Sequence, residues 1–124
     1  LVDTVKYIVR NNIRESDAWN IRRKLLEKPF IGPKTIDAFL LFTTQNSFFT
    51  PSDRHYLLYV RTFLELRKYP PVKKYCTSYT CYSCPLQERC VSGWSIRVFG
   101  RLSGWIQTLS YLHGRRIVKL PSLK

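Results

Sequence analysis

Four cysteines fall within fifteen residues: Cys76, Cys81, Cys84 and Cys90, spaced C-x4-C-x2-C-x5-C. Thiolates are soft ligands, and four in one loop have few uses. Two disulfides are one use. No signal peptide is visible, however, and intracellular thiols stay reduced, so metal ligation is the better reading. Structural zinc usually draws on two separated pairs of cysteines. Here one central pair has a single cysteine on each side, a compact loop that wraps a cubane 4Fe-4S cluster well. The bacterial ferredoxin spacing C-x2-C-x2-C-x3-C does not match. Zinc stays as the alternative. Four cysteine ligands leave iron no open position for a substrate, so the expected role is structural: a staple for a loop and a C-terminal element with little core of their own.

A second group lies upstream. Pro29-Phe30-Ile31-Gly32-Pro33-Lys34-Thr35 reads as a tight turn that opens a helix, with Pro33 in the first turn, where proline fits. Such a turn aims free backbone N–H groups outward, and a glycine lets a phosphate come close. Nineteen residues after Lys34 comes Asp53, in Ser52-Asp53-Arg54-His55, again at a helix start. The plainer roles are a phosphate contact or an ion pair with Asp37 for Lys34, and a helix cap for Asp53. His55 reads as a packing or backbone contact, and His113 has no partner visible in sequence.

These residues together resemble the endonuclease III family of helix-hairpin-helix DNA glycosylases with abasic-site lyase activity. Gly32, Lys34 and Thr35 fall on the hairpin signature L-P-G-V-G-x-K-T-A. Ser52-Asp53-Arg54-His55 is similar to the V-D-T-H segment, at nearly the same distance from the lysine. The last two cysteine intervals match the iron–sulfur loop C-x6-C-x2-C-x5-C. The resemblance implies an all-α fold, a helix-hairpin-helix with a four-cysteine cluster loop, incomplete against the two-domain family fold. It implies that Lys34 attacks C1′ of the deoxyribose and forms a Schiff base, followed by β-elimination. Asp53 would stabilise the developing oxocarbenium charge and help move protons. The partner would be double-stranded DNA with a damaged base, flipped out of the stack, or with an abasic site. DNA contacts would come from Ile31, Gly32, Lys34 and Thr35, and from Lys73, Lys74 and Arg89 around the cysteines.

The departures are concrete. Phe30 stands at the first glycine of the signature. The first cysteine interval is two residues short, and its Thr77-Ser78-Tyr79-Thr80 carries no charge. The match covers about residues 15–90, and only about thirty residues precede the hairpin, where the family has a long helical domain. The chain also lacks Met, even at position 1, so it is expected to begin inside a longer product or to have been trimmed; the short stretch before the hairpin leaves a fragment, a second chain that completes the helical domain, or a scaffold that only binds. The alternative function is a non-catalytic nucleic-acid-binding module with an Fe–S or zinc staple in a larger assembly.

The elements that must position these groups follow from apolar periodicity. A helix is expected over about 2–11 on Val2, Val5, Ile8 and Val9. A second starts near Ser16 as N-cap, with Asp17 in its first turn. It buries Ala18, Ile21, Leu25 and Leu26 and places Arg22, Arg23 and Lys24 at its end, where the dipole favours cations. A third follows Pro33, with a stripe of Ile36, Phe39, Leu40 and Thr43; Phe39 to Phe42 reads as a buried face. A fourth, opened by Thr50-Pro51-Ser52-Asp53, runs to about Arg67 and buries Tyr56, Leu57, Val60, Phe63 and Leu64. A last helix covers about 101–113, and Arg115 to Lys124 is a short strand or extended tail. Trp19, Trp94 and Trp105 are expected in the core or an interface. The chain divides into a helical domain (1–75), the cluster loop (76–90) and a basic aromatic extension (91–124).

Charge adds a partner class. Lys and Arg number 21 against 8 Asp and Glu, a formal net charge of +13. No acid follows Glu88. Such a field attracts polyanions, of which nucleic acid is the commonest. No run approaches the roughly 20 apolar residues of a membrane helix, so no membrane is expected, and an intracellular location, in cytoplasm, nucleoid or nucleus, is.

Overall fold

The computed structural model describes residues 14–122, with side chains described for 14–114. The helix expected over about 2–11 lies outside them. The described chain is all-α: α1 (Glu15–Leu26), α2 (Pro33–Thr44), α3 (Arg54–Phe63), α4 (Lys73–Ser78), α5 (Val91–Phe99), a 3-10 turn (Gly100–Leu102) and α6 (Ser103–Ser122). Among the described residues, extended backbone pairs at one isolated parallel bridge, Tyr69 with Cys90.

Helix α1 packs on α2 and α4, while α6 packs on α3 and α5. The larger core joins Ala18, Trp19, Leu25 and Leu26 of α1 to Ile36, Leu40 and Leu41 of α2, to Phe48 and Phe49 of the loop, and to Cys76, Cys81 and Ile96. A smaller one gathers Tyr56, Val60, Val91 and Trp94. Each fully buried side chain of this size contributes about 1.5–3 kcal/mol against exposure, so the cysteine loop is anchored by the same apolar burial that holds α1 to α2.

Several expectations change. Helix α1 begins at Glu15 with Arg14 at the cap, and no side chain caps it; Ser16 lies in the first turn. Arg22 does not sit among solvated charges at the helix end. It is on the buried face, 1 % exposed, and pairs with Asp37 of α2. Helix α3 stops earlier than the apolar spacing predicts. Glu65 takes the left-handed conformation (φ 56°), and the amides of Leu64 and Leu66 both donate to the Val60 carbonyl, leaving Phe63 and Leu64 exposed. Phe42 is exposed as well and meets Trp105 edge-on. Trp19 and Trp94 are buried. Helix α6 continues to Ser122, past the expected end near residue 113.

Residues 91–114 pack into the body of the protein. Gly104 explains how. Its amide donates to the Ser47 carbonyl at 2.7 Å, and a Cβ there would lie 2.4 Å from the Phe49 carbonyl oxygen. Only a residue without a side chain lets α6 lie directly on the loop between α2 and α3. Buried hydroxyls line the same junction. Tyr56 Oη and Ser95 Oγ are 2.7 Å apart, Ser103 Oγ donates to Ser95 Oγ at 2.7 Å, and Ser103 Oγ also contacts Thr50 Oγ1. Ser92 Oγ donates to Ser52 Oγ at 2.7 Å and to the Thr50 carbonyl at 3.1 Å. Buried polar groups are tolerated when paired in this way.

Candidate cysteine centre and hairpin

The cysteines reach one place from three local structures. Cys76 lies on the inner side of α4. Cys81 and Cys84 lie in the tight turns that follow, where the Gln87 amide donates to the Cys84 carbonyl at 3.1 Å. Cys90 is the N-cap of α5 and is held by the Tyr69 bridge, with Tyr69 N–H on the Arg89 carbonyl and Val91 N–H on the Tyr69 carbonyl. All four line a single small cavity, of about 20 Å3, that is partly open to solvent. Cys76, Cys81 and Cys90 are buried and Cys84 is partly exposed. Among the described residues, no three His, Cys, Asp or Glu side chains are gathered as a single metal ion would need.

Burial pushes the thiols of Cys76, Cys81 and Cys90 above their ordinary range, and the Arg22 charge acts in the opposite sense on each. Arg22 lines the cysteine cavity. Its Nε and Nη2 donate to the two Asp37 carboxylate oxygens at 2.5 and 3.1 Å. Burial works against its charge, but Asp37 and the neighbouring cysteines outweigh that and hold the guanidinium protonated. Burial likewise raises the Asp37 carboxyl, and Arg22 pulls it back toward the ionised form. This pair did not emerge from the sequence, although a signal existed: Arg22 and Asp37 both occupy positions on the apolar stripe of their helices.

The hairpin lies at the other end of α1. The Lys28 amide donates to the Leu25 carbonyl, and Phe30 turns the chain with φ 69°, its side chain wholly in solvent. The left-handed residue therefore sits where the family signature has its first glycine. Gly32 is the N-cap of α2 in extended geometry (φ −102°, ψ 171°), and no side chain caps the helix. Nothing lies within 4 Å of a Cβ built on Gly32, so the space in front of it is open. Ile31 packs against the main core, whereas Lys34 and Thr35 are exposed. Lys34 is not paired with Asp37, which is buried against Arg22.

Asp53 is the N-cap of α3, its carboxylate accepting from the Tyr56 amide at 3.0 Å. Lys34 and Asp53 thus stand at the starts of successive helices, and among the described residues they form no ion pair with each other. His55 packs edge-on against Tyr111, and His113 Nδ1 lies 3.0 Å from Tyr59 Oη. Of the basic residues near the cysteines, Lys74 and Arg89 are exposed. Lys73 Nζ donates to the Lys28 carbonyl at 2.9 Å, which ties α4 to the chain entering the hairpin. No protein-family model, curated protein or solved structure matches the chain.

Proposed function

We propose that this chain is the hairpin and iron–sulfur part of a base-excision DNA-repair enzyme, an endonuclease III-like glycosylase with abasic-site lyase activity. The observation that carries this reading is the hairpin. A left-handed turn at Phe30 leads into a helix whose uncapped start presents Lys34, exposed and, among the described residues, without an ionic partner. Uncapped helix starts receive phosphate readily, and an amine there stands where a bound sugar–phosphate backbone would run. The chain's net charge of +13 favours the same partner. In this reading Lys34 is the nucleophile, and Asp53, fixed at the start of α3, is the carboxylate that faces the developing charge.

The residues that would hold a 4Fe-4S cluster are Cys76, Cys81, Cys84 and Cys90. The donor set fits: four sulfurs line one cavity, and a buried guanidinium beside them balances negative charge. Zinc, with Zn–S near 2.3 Å, would draw the sulfurs to within roughly 4 Å of one another. A 4Fe-4S cluster would take one thiolate on each of its irons. When bound, the group supplies a cross-link rather than a reaction step: α4, the turns and the start of α5 are fastened together.

The test is borohydride trapping on a duplex carrying one abasic site. The wild-type chain is expected to give a covalent protein–DNA band that Lys34→Ala abolishes. Absence of the band, with salt-sensitive duplex binding intact, would overturn the lyase assignment and leave the second reading, a nucleic-acid-binding module. One observation favours that second reading: the Asp53 carboxylate is already engaged as a helix cap.

A further inference from the structure

Among the described residues, Arg22 is the one Lys or Arg that is buried. Two of its nitrogens are taken by Asp37, and its Cζ lies 5.3 Å from the centroid of the Trp19 ring. The third nitrogen, Nη1, is shielded from solvent and has no hydrogen-bond acceptor. A buried donor without a partner costs about 1–3 kcal/mol, and more when it is charged. Here the orphan is not an accident of a loose side chain. A bidentate carboxylate fixes the fork, the aromatic ring supports it, and the guanidinium forms part of the wall of the cavity that the four cysteines surround. That wall holds four sulfurs beside the oxygens of Tyr75, Tyr79, Thr80, Gln87 and Ser92; of these groups it is the cysteines, Cys81 and Cys76, that act on the Arg22 charge.

We propose that Arg22 is a positioning residue of the cysteine centre: its Nη1 donates a hydrogen bond to a sulfur of the thiolate-held iron–sulfur group, and Asp37 locks the guanidinium in the orientation that this requires. The proposal rests on the iron–sulfur reading of the cysteines. An iron–sulfur group on four thiolates is an anion, and the Arg22–Asp37 pair turns the positive end of its dipole toward it. The ion pair is thus oriented for a ligand as well as for holding α1 to α2. Asp37 lies one turn into α2, three residues after Lys34, so the same contact joins the cysteine centre to the helix that carries the hairpin lysine.

The test uses the full chain, reconstituted anaerobically with iron and sulfide, and does not depend on activity. Arg22→Met alone would strand a buried carboxylate, which is strongly destabilising. The double variant Arg22→Met/Asp37→Leu instead replaces the whole pair by apolar side chains, an exchange that is often neutral for stability. Arg22→Lys keeps a charge for Asp37 but loses the second arm of the fork. Bound iron and sulfide, the absorbance near 400 nm under a chelator, and the midpoint potential are measured for each. The double variant is expected to lose its absorbance about 10–100-fold faster than wild type, as outer-shell partners of metal sites do, and to have a lower midpoint potential because the positive end of the ion-pair dipole and its hydrogen bond to sulfur are gone. Arg22→Lys is expected to lose the cluster faster as well, with its unfolding midpoint in the metal-free state close to wild type. Retention and potential equal to wild type in either variant would overturn the role of Arg22. A wild-type chain that takes up neither iron nor sulfide would overturn the iron–sulfur reading itself, and this outcome is recognised before any variant is compared.

Discussion

Replacing Phe30 by glycine should make the protein more stable, although it deletes a large apolar side chain. Phe30 has φ 69°, a conformation that costs an L-residue roughly 1–2 kcal/mol. Its side chain is 103 % exposed, so the native state surrenders no burial when the ring is removed. Against the relief of strain stands the greater freedom of glycine in the unfolded chain, about 0.5–1 kcal/mol. The difference favours Phe30→Gly by about 0.5–1 kcal/mol, a rise in melting temperature of roughly 2–6 °C for a domain of this size. Urea unfolding of wild type, Phe30→Gly and Phe30→Ala separates the causes. Alanine removes the ring but keeps a Cβ in the left-handed region, so it should leave the midpoint close to wild type. Glycine should raise the midpoint at an unchanged slope. If alanine stabilised the chain as much as glycine, or glycine lowered the midpoint, the backbone strain argued for the hairpin would be refuted.

Three further outcomes are expected. Asp53→Ala should cost about 1 kcal/mol in urea unfolding through loss of the cap on the Tyr56 amide. Asp53→Asn should retain most of that stability yet, if the catalytic reading holds, lose the abasic-site cleavage measured on a labelled duplex. Gly104→Ala should cost about 3 kcal/mol or more, since its Cβ would meet backbone oxygens 2.4 and 2.8 Å away, which cannot yield as the nearby Leu41 side chain could; a variant with a wild-type unfolding midpoint would contradict the close approach of α6 to the loop. In the metal-free chain, burial raises the thiols of Cys76, Cys81 and Cys90 above their ordinary 9.0 and pushes Tyr82 up to about 12 from 10.0. The unfolded chain releases these protons first as pH rises, so their contribution is whole below pH 9 and is lost progressively above it, with Tyr82 acting between pH 10 and about 12. Urea midpoints of that chain measured upward from pH 8 should therefore fall, and a midpoint that rose through this range would show the thiols to be less buried than described.

Local chemistry is what the sequence makes legible. The turn at 29–33 and the cap at Asp53 each depend on a few adjacent residues, and each takes the form those residues imply. Long-range choices are harder to read. Arg22 was placed with Arg23 and Lys24 because a helix end attracts cations, but its partner lies fifteen residues away on another helix. Periodicity alone could not reveal that two charged residues on two apolar stripes face each other. Helix α3 ends where Glu65 turns left-handed, although the apolar spacing continues through Phe63 and Leu64. The hairpin lysine and the aspartate are each found at a helix start, but the engagement of Asp53 as a cap becomes evident only with its distance to the Tyr56 amide.

The hydroxyls of Tyr56, Ser95, Ser103 and Thr50 carry a consequence for how their positions tolerate substitution. Each is buried, and they are linked in series across the junction of α3, α5, α6 and the loop. Removing one leaves its neighbour unpaired at a cost of about 1–3 kcal/mol, whereas replacing several together by apolar groups of the same shape is close to neutral. Substitution at these positions should therefore be correlated: sequences that exchange Ser95 for alanine should also carry phenylalanine at position 56 or alanine at 103. The junction would change as a block, because each hydroxyl is the partner of the next.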